Sequence, residues 1–189
     1  MIESKEPAAK LLAEDHAALD GLLSGLLAAL ETGETDGSFA RLDFLWARLA
    51  VHIRAENLWL FPAILNALAE VRTDHGEITL RPDEARATIG KLREDHDFFM
   101  HELAGAVKIM RELQAAPERE AAASRLQDVR QLIVKLDSRL GTHNRLEEEQ
   151  VYLWPDRLMK PADQHRLVAH MQREIENLPP RFKDPAICK

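Results

Sequence analysis

Six residues occupy positions where the surrounding spacing calls for an apolar side chain, and each is an imidazole or a carboxylate: His16, His52, Glu56, His96, His143 and Glu147. They recur in order. Leu12-Ala-Glu-Asp-His16 is matched by Leu92-Arg-Glu-Asp-His96, and His52-x-x-x-Glu56 by His143-x-x-x-Glu147. Each His-x-x-x-Glu is followed by an aromatic and a proline, Phe61-Pro62 and Trp154-Pro155. On a helix, residues i and i+4 share a face, so both members of such a pair can reach one inward point. Titratable groups turned into a core are costly unless compensated. Three compensations compete: a network of core His–Glu hydrogen bonds, an acid–base active site, and metal ions. A hydrogen-bond network accounts for one His-x-x-x-Glu pair better than for the same pattern on four segments. An acid–base site needs a polar cleft, whereas the neighbouring inward positions are Leu, Ile, Phe and Ala. Four imidazoles and two carboxylates are too many for one zinc, which takes three or four ligands. They suit two first-row metals bridged by the carboxylates. Nitrogen and oxygen donors without sulfur fit iron or manganese, with zinc or copper as substitutes.

The elements that must position these residues follow from the same periodicity. Leu12, His16, Leu19, Leu23, Leu26 and Leu30 alternate steps of four and three. So do Leu42, Leu45, Leu49, His52, Glu56, Leu60 and Ala63, with one doubled step of four at Glu56. Ile89, Leu92, His96, Phe99, Leu103, Ala106, Met110 and Leu113 form a third seam, and Leu126, Val129, Ile133, Leu136, Leu140, His143, Glu147 and Val151 a fourth. Such stripes mark the inward faces of bundled helices. The first helix is predicted from Pro7 to the Thr-Gly-Glu-Thr-Asp-Gly turn at 32–37. The second runs from an N-cap at Ser38 to about Glu70, kinked or interrupted at Pro62. A loop covers Arg72 to Pro82. The third helix runs from Asp83 to Ala115, and the fourth from somewhere after Pro117 to Pro155. A short C-terminal helix over Ala162–Asn177, with a stripe of Val168, Met171, Ile175 and Leu178, precedes a proline-containing tail. No linker divides the chain, so a single domain is expected over 1–189.

At about 1.5 Å per residue, His16 and His52 are equidistant from the turn near residue 35 and should be level. His96 and His143 miss each other by about two turns, unless residues 116–123 overhang or Ser124 is the true N-cap.

Composition agrees with an all-α chain. Of 189 residues, Leu and Ala supply 28 and 26, whereas Val, Ile and Thr together supply 22; helices favour the former and strands the latter. The net charge of −7 gives no footprint for nucleic acid or anionic lipid. The longest uncharged run, Asn57 to Ala69, is too short for a membrane span. The N-terminus lacks the pattern of a signal peptide, so a cytoplasmic setting is expected. The single Cys188 excludes an internal disulfide. His75, His101, His165 and His170 fall off the seams and read as surface residues. Glu148 and Glu149 read as solvated, with Glu148 the reserve carboxylate should Glu147 not serve. Trp46, Trp59, Trp154 and Tyr152 read as packing aromatics.

The ordered set His16, His52-Ile-Arg-Ala-Glu56 with Leu60-Phe61-Pro62, His96, and His143-Asn-Arg-Leu-Glu147 resembles the hemerythrin-like HHE cation-binding domain. The likeness covers about residues 7–155. It implies an up-and-down four-helix bundle around a non-haem di-iron centre, oxo- and carboxylate-bridged, with Glu56 and Glu147 as bridges and the four His as terminal ligands. Met100 stands where the oxygen-carrying hemerythrins place a further His, which argues for autoxidation over long-lived oxygenation. The ferritin-like di-iron bundles use more carboxylates and a Glu-x-x-His order, which this sequence does not have. A His-rich site with few carboxylates favours a protein that binds or senses dioxygen or nitric oxide, or holds iron. The alternatives are a di-iron enzyme acting on peroxide or nitric oxide or in iron–sulfur repair, and a structural bundle without metal.

Overall fold

The computed structural model describes residues 7–71, 80–115 and 119–182. The described residues are helical throughout their ordered elements, and no strand occurs among them. Four long helices carry the seams: α1 (Pro7–Thr32), α2 (Thr35–Ala55), α4 (Pro82–Ala115) and α5 (Arg119–Glu149). Between α2 and α4 lie a π-helical turn (Glu56–Leu60) and α3 (Phe61–Val71). After α5 come a 3-10 turn (Val151–Leu153), α6 (Trp154–Leu158), α7 (Pro161–Ile175) and a last 3-10 turn (Pro180–Phe182). Helix α1 packs on α2, α2 on α4, α4 on α5 and α5 back on α1, while α7 lies against α1 and α2. The result is a helical bundle. No helix among the described residues is long and apolar enough to cross a membrane.

Every residue of the first, third and fourth predicted seams is buried. Two apolar clusters result. One holds Leu19, Leu23, Leu49, Phe99, Met110, Leu136 and Leu140. The other holds Leu12, Leu60, Phe61, Leu92, Val151, Tyr152 and Met171. His16 lies between Leu12 and Leu19, and His96 between Leu92 and Phe99, so the six polar seam residues form a layer between two apolar ones. Leu→Ala changes in either cluster should cost roughly 2–5 kcal/mol.

The second seam departs from expectation after Glu56. The N–H of Phe61 bonds to the carbonyl of Glu56, five residues back. Pro62 has no N–H to offer, so the ladder must loosen here, and it does so by widening one turn. That extra residue shifts the register. Ile64 and Leu68 are buried, whereas Ala63 is half-buried. The doubled step of four at Glu56 was the trace of this turn in the sequence.

Other boundaries need correction. The N-cap of α2 is Glu34, not Ser38: the Glu34 side chain accepts a hydrogen bond from Gly37 N at 3.1 Å, and Ser38 is buried inside the helix. Gly33 makes the preceding turn possible with φ of +74°, a conformation in which a side chain would be strained. Ser124 is not an N-cap, because α5 begins at Arg119. The Glu112–Arg125 pair, at 3.1 Å, marks the register, in which the first turn of α5 overhangs the end of α4. That overhang brings His96 and His143 level. Helix α5 stops at Glu149 rather than at Pro155, and Gln150, at φ −131° and ψ −65°, leaves helical geometry. On α7 the buried residues are Leu167, Met171 and Ile175; Val168 is only half-buried, as is Leu178, which lies beyond the end of the helix. His75, Pro117, Pro185 and Cys188, and most of the predicted 72–82 loop, lie outside the described residues.

Candidate metal centre

The polar layer gathers all six seam residues, each at most 3% exposed. The Nε2 atoms of His16 and His52 lie 3.1 Å apart, and so do those of His96 and His143. Glu56 Oε2 stands 3.5 Å from His52 Nε2 and 3.2 Å from His96 Nε2. Glu147 divides its oxygens: Oε1 is 3.1 Å from His143 Nε2, and Oε2 is 3.4 Å from His16 Nε2. Two groups of four result, His16–His52–Glu56–Glu147 and His96–His143–Glu56–Glu147, and in each one donor atom per residue lies within 4.8 Å of the others. Two donors about 2.1 Å from one ion and at right angles to each other are about 3.0 Å apart. The imidazole pairs have that spacing.

The electrostatics point the same way. Burial pulls His16 down, but Glu147, Glu56 and Glu148 outweigh it and raise the imidazole to about 9. His143 is raised by the same balance, burial against Glu147, Glu56 and Asp95. Burial pushes Glu147 up, but contacts with His143 and His16 hold it well below its usual value. Glu56 Oε2 and Glu147 Oε1 are nonetheless buried without a hydrogen-bond donor. A buried carboxylate oxygen in that condition is expensive, and a cation shared between the two groups of four would compensate both. The donor set therefore fits bound metal.

The hemerythrin HHE cation binding domain profile matches residues 8–154. The chain belongs to this family. No curated protein and no solved structure matches it significantly. In this HHE protein the matched span ends at Trp154 and so includes every seam residue named above.

Around the six residues lies a second layer that orients them. Asp15 Oδ2 accepts from His52 Nδ1 at 3.0 Å, and Arg48 holds Asp15 Oδ1. In the other half, Asp95 Oδ2 faces His143 Nδ1 at 3.4 Å, and Arg139 Nε donates to Asp95 Oδ1 at 2.7 Å. Each relay runs Arg–Asp–His, and each Arg sits four residues before its His. Such outer carboxylates fix the tautomer that leaves Nε2 free to bind. The signal was in the sequence, as Arg48-x-x-x-His52 and Arg139-x-x-x-His143 together with the repeated Asp-His, but its role could not be assigned without knowing which helices touch.

The residue after each central Glu completes the set. Glu148 accepts from His16 Nδ1 at 2.7 Å, while the Asn57 side-chain amide lies 3.2 Å from His96 Nδ1 and takes a bond from Arg93 at 3.3 Å. Glu148 is 43% exposed and belongs to neither group of four. It positions His16, and Glu147 takes the central place.

Tyr152 is the largest departure from expectation. Its hydroxyl lies 2.7 Å from Glu56 Oε1, 3.0 Å from His16 Nε2 and 3.2 Å from Glu147 Oε2. Burial, then the two carboxylates, raise its pKa well above the usual value, so it stays a proton donor. Of the histidines set aside as surface residues, His101 and His165 are exposed. His170 is half-buried and stacks on Trp59 with centroids 4.2 Å apart.

Proposed function

We propose that this protein holds two iron ions, one in each group of four residues, with Glu56 and Glu147 bridging them. On this reading it binds or senses a small diatomic ligand, dioxygen or nitric oxide. The observation that carries the proposal is the sharing of both carboxylates by the two groups. Iron bound there supplies ligand-binding and redox chemistry, and the protein supplies the rest. His16, His52, His96 and His143 would provide the nitrogen donors, unprotonated at the nitrogen that holds metal. The two carboxylates offset only half the charge of a diferrous pair, which suits ligand binding better than strongly oxidising chemistry. Four protein contacts per metal would leave positions open, as in reactive rather than structural sites. Leu19, Leu49, Phe99 and Leu140, all buried, line the layer and admit little beyond a small ligand. A cleft of about 430 Å³ lined by Ala13, Ala17, Glu148 and Tyr152 reaches two residues that touch the site and would give the approach from solvent.

We read the ring of helices as an up-and-down four-helix bundle within one cytoplasmic domain. In support, the cross-helix pairs His16–His52, Asn57–His96, His96–His143 and His16–Glu148 each join a residue early in one helix to one late in its neighbour.

A second reading, turnover of peroxide or nitric oxide, is favoured by one feature: the protonated Tyr152 hydroxyl at the heart of the site.

Elemental analysis of protein from an iron-replete host tests the proposal. Two metal equivalents per chain are expected, with at least one lost in each of His52→Ala and His143→Ala and none in His101→Ala. Reduced protein should change its visible spectrum with dioxygen or nitric oxide. Less than one equivalent in the wild type, or full occupancy in both ligand variants, would overturn it. Repeated turnover with an electron donor would select the enzymatic reading.

A further inference from the structure

Behind His143, on the side of its Nδ1, α4 and α5 part to leave a cleft of about 370 Å³. Lys91, Lys135 and Arg139 line it against a single carboxylate, Asp95. This is a local excess of positive charge on a chain of net charge −7. Ser138 and Thr142 add hydroxyl groups, and His143 forms part of the wall. Lys91 is exposed and has no ion-pair partner among the described residues. Lys135 is loosely held, 3.9 Å from Glu102 and 5.0 Å above the Phe98 ring. Arg139 is fixed on Asp95 and on Phe98, 4.1 Å from the ring centroid. Its guanidinium carries more N–H groups than Asp95 uses.

The matching place in the opposite half is covered. There Arg48 binds Asp15 and also the carbonyl of Ile175, and α7 packs over α2. The C-terminal helix thus closes one relay and leaves its twin open to solvent.

We propose that the open cleft binds a small oxyanion, a phosphate or a carboxylate, seated by Arg139, Lys91 and Lys135. A planar guanidinium and two lysines lining one cleft suit an oxyanion. The cavity is too small for a macromolecular partner and too charged for an apolar one. An anion seated there draws on Arg139, the residue that holds Asp95 against His143, so its binding is felt at that imidazole. This last link rests on the metal reading; the binding itself does not.

Calorimetric titration of the full chain with inorganic phosphate, malonate and chloride, each separately, tests the site. Saturable binding of one phosphate or one malonate per chain is expected, the tighter of the two identifying the source. Lys91→Ala/Lys135→Ala removes two ammonium groups and should weaken it about a hundredfold, about tenfold for each charge-assisted hydrogen bond lost. Lys91→Ala alone removes only an exposed side chain and should give a smaller loss. No saturation by either oxyanion, binding no tighter than chloride, or unchanged binding in the double variant would overturn the site. In iron-loaded protein the bound anion should shift the visible spectrum. An unshifted spectrum with binding intact would overturn the link to His143 alone.

Discussion

Tyr152 donates a 2.7 Å hydrogen bond to Oε1 of Glu56, a residue 96 positions earlier in the chain. The bond occupies one oxygen of Glu56 and leaves Oε2 as the atom facing both His52 and His96. Tyr152→Phe should keep the ring packing and remove the donor from a buried carboxylate. The metal-free protein should lose about 1–3 kcal/mol in urea denaturation, and metal stoichiometry should be unchanged. Loss of a metal equivalent would show that the phenol itself holds metal.

The two Arg–Asp–His relays should respond unequally. Arg48 is 15% exposed, whereas Arg139 is 43% exposed. Arg48→Ala leaves Asp15, itself buried, without its cation, and such losses cost about 3–5 kcal/mol. Asp95 is as buried as Asp15 but lines the open cleft, where water can replace the lost cation, so Arg139→Ala should cost less. Denaturation midpoints of the two variants, compared side by side, check this.

Removing an orienting carboxylate should weaken metal binding without abolishing it. Glu148→Gln and Asp15→Asn each disturb the Nδ1 partner of one His, and changes of this kind typically cost about 10–100-fold in affinity. Competition with a chelator of known strength would measure the loss, and stoichiometry at saturating metal should stay at the wild-type value.

Stability of the metal-free protein should depend on pH in a defined window. His16 titrates at about 9 in the fold against an ordinary value of 6.5. Its contribution is complete below about pH 6.5 and is lost as pH rises through about 9. Glu147 is held below its ordinary value of 4.5, so its contribution is present above about pH 4.5 and lost on acidification. The metal-free bundle should therefore be most stable between these limits and lose up to about 3 kcal/mol by pH 9. Metal affinity should instead rise over that range, because binding needs unprotonated imidazoles. Urea midpoints at pH 6 and pH 9, with and without metal, separate the two trends.

The six seam residues and the long helices were legible in the sequence, because a helix writes its buried face as a 3/4 rhythm and polar exceptions to that rhythm stand out. His16, His52, Glu56, His96, His143 and Glu147 needed no contact information to be chosen. What pairs with them across helices left no such mark. Asp15 serves His52 rather than its neighbour His16, and Glu148 serves His16 from the far end of the chain. Periodicity reports which way a residue faces on its own helix and says nothing about which helix it meets. Tyr152 was hidden for a related reason. It looked like one more packing aromatic on a helix running to Pro155, but α5 ends at Glu149, and the tighter turn that follows carries the phenol into the polar layer. Only the tertiary structure could settle that, because both the break and its direction are set by the helices against which residues 150–153 pack.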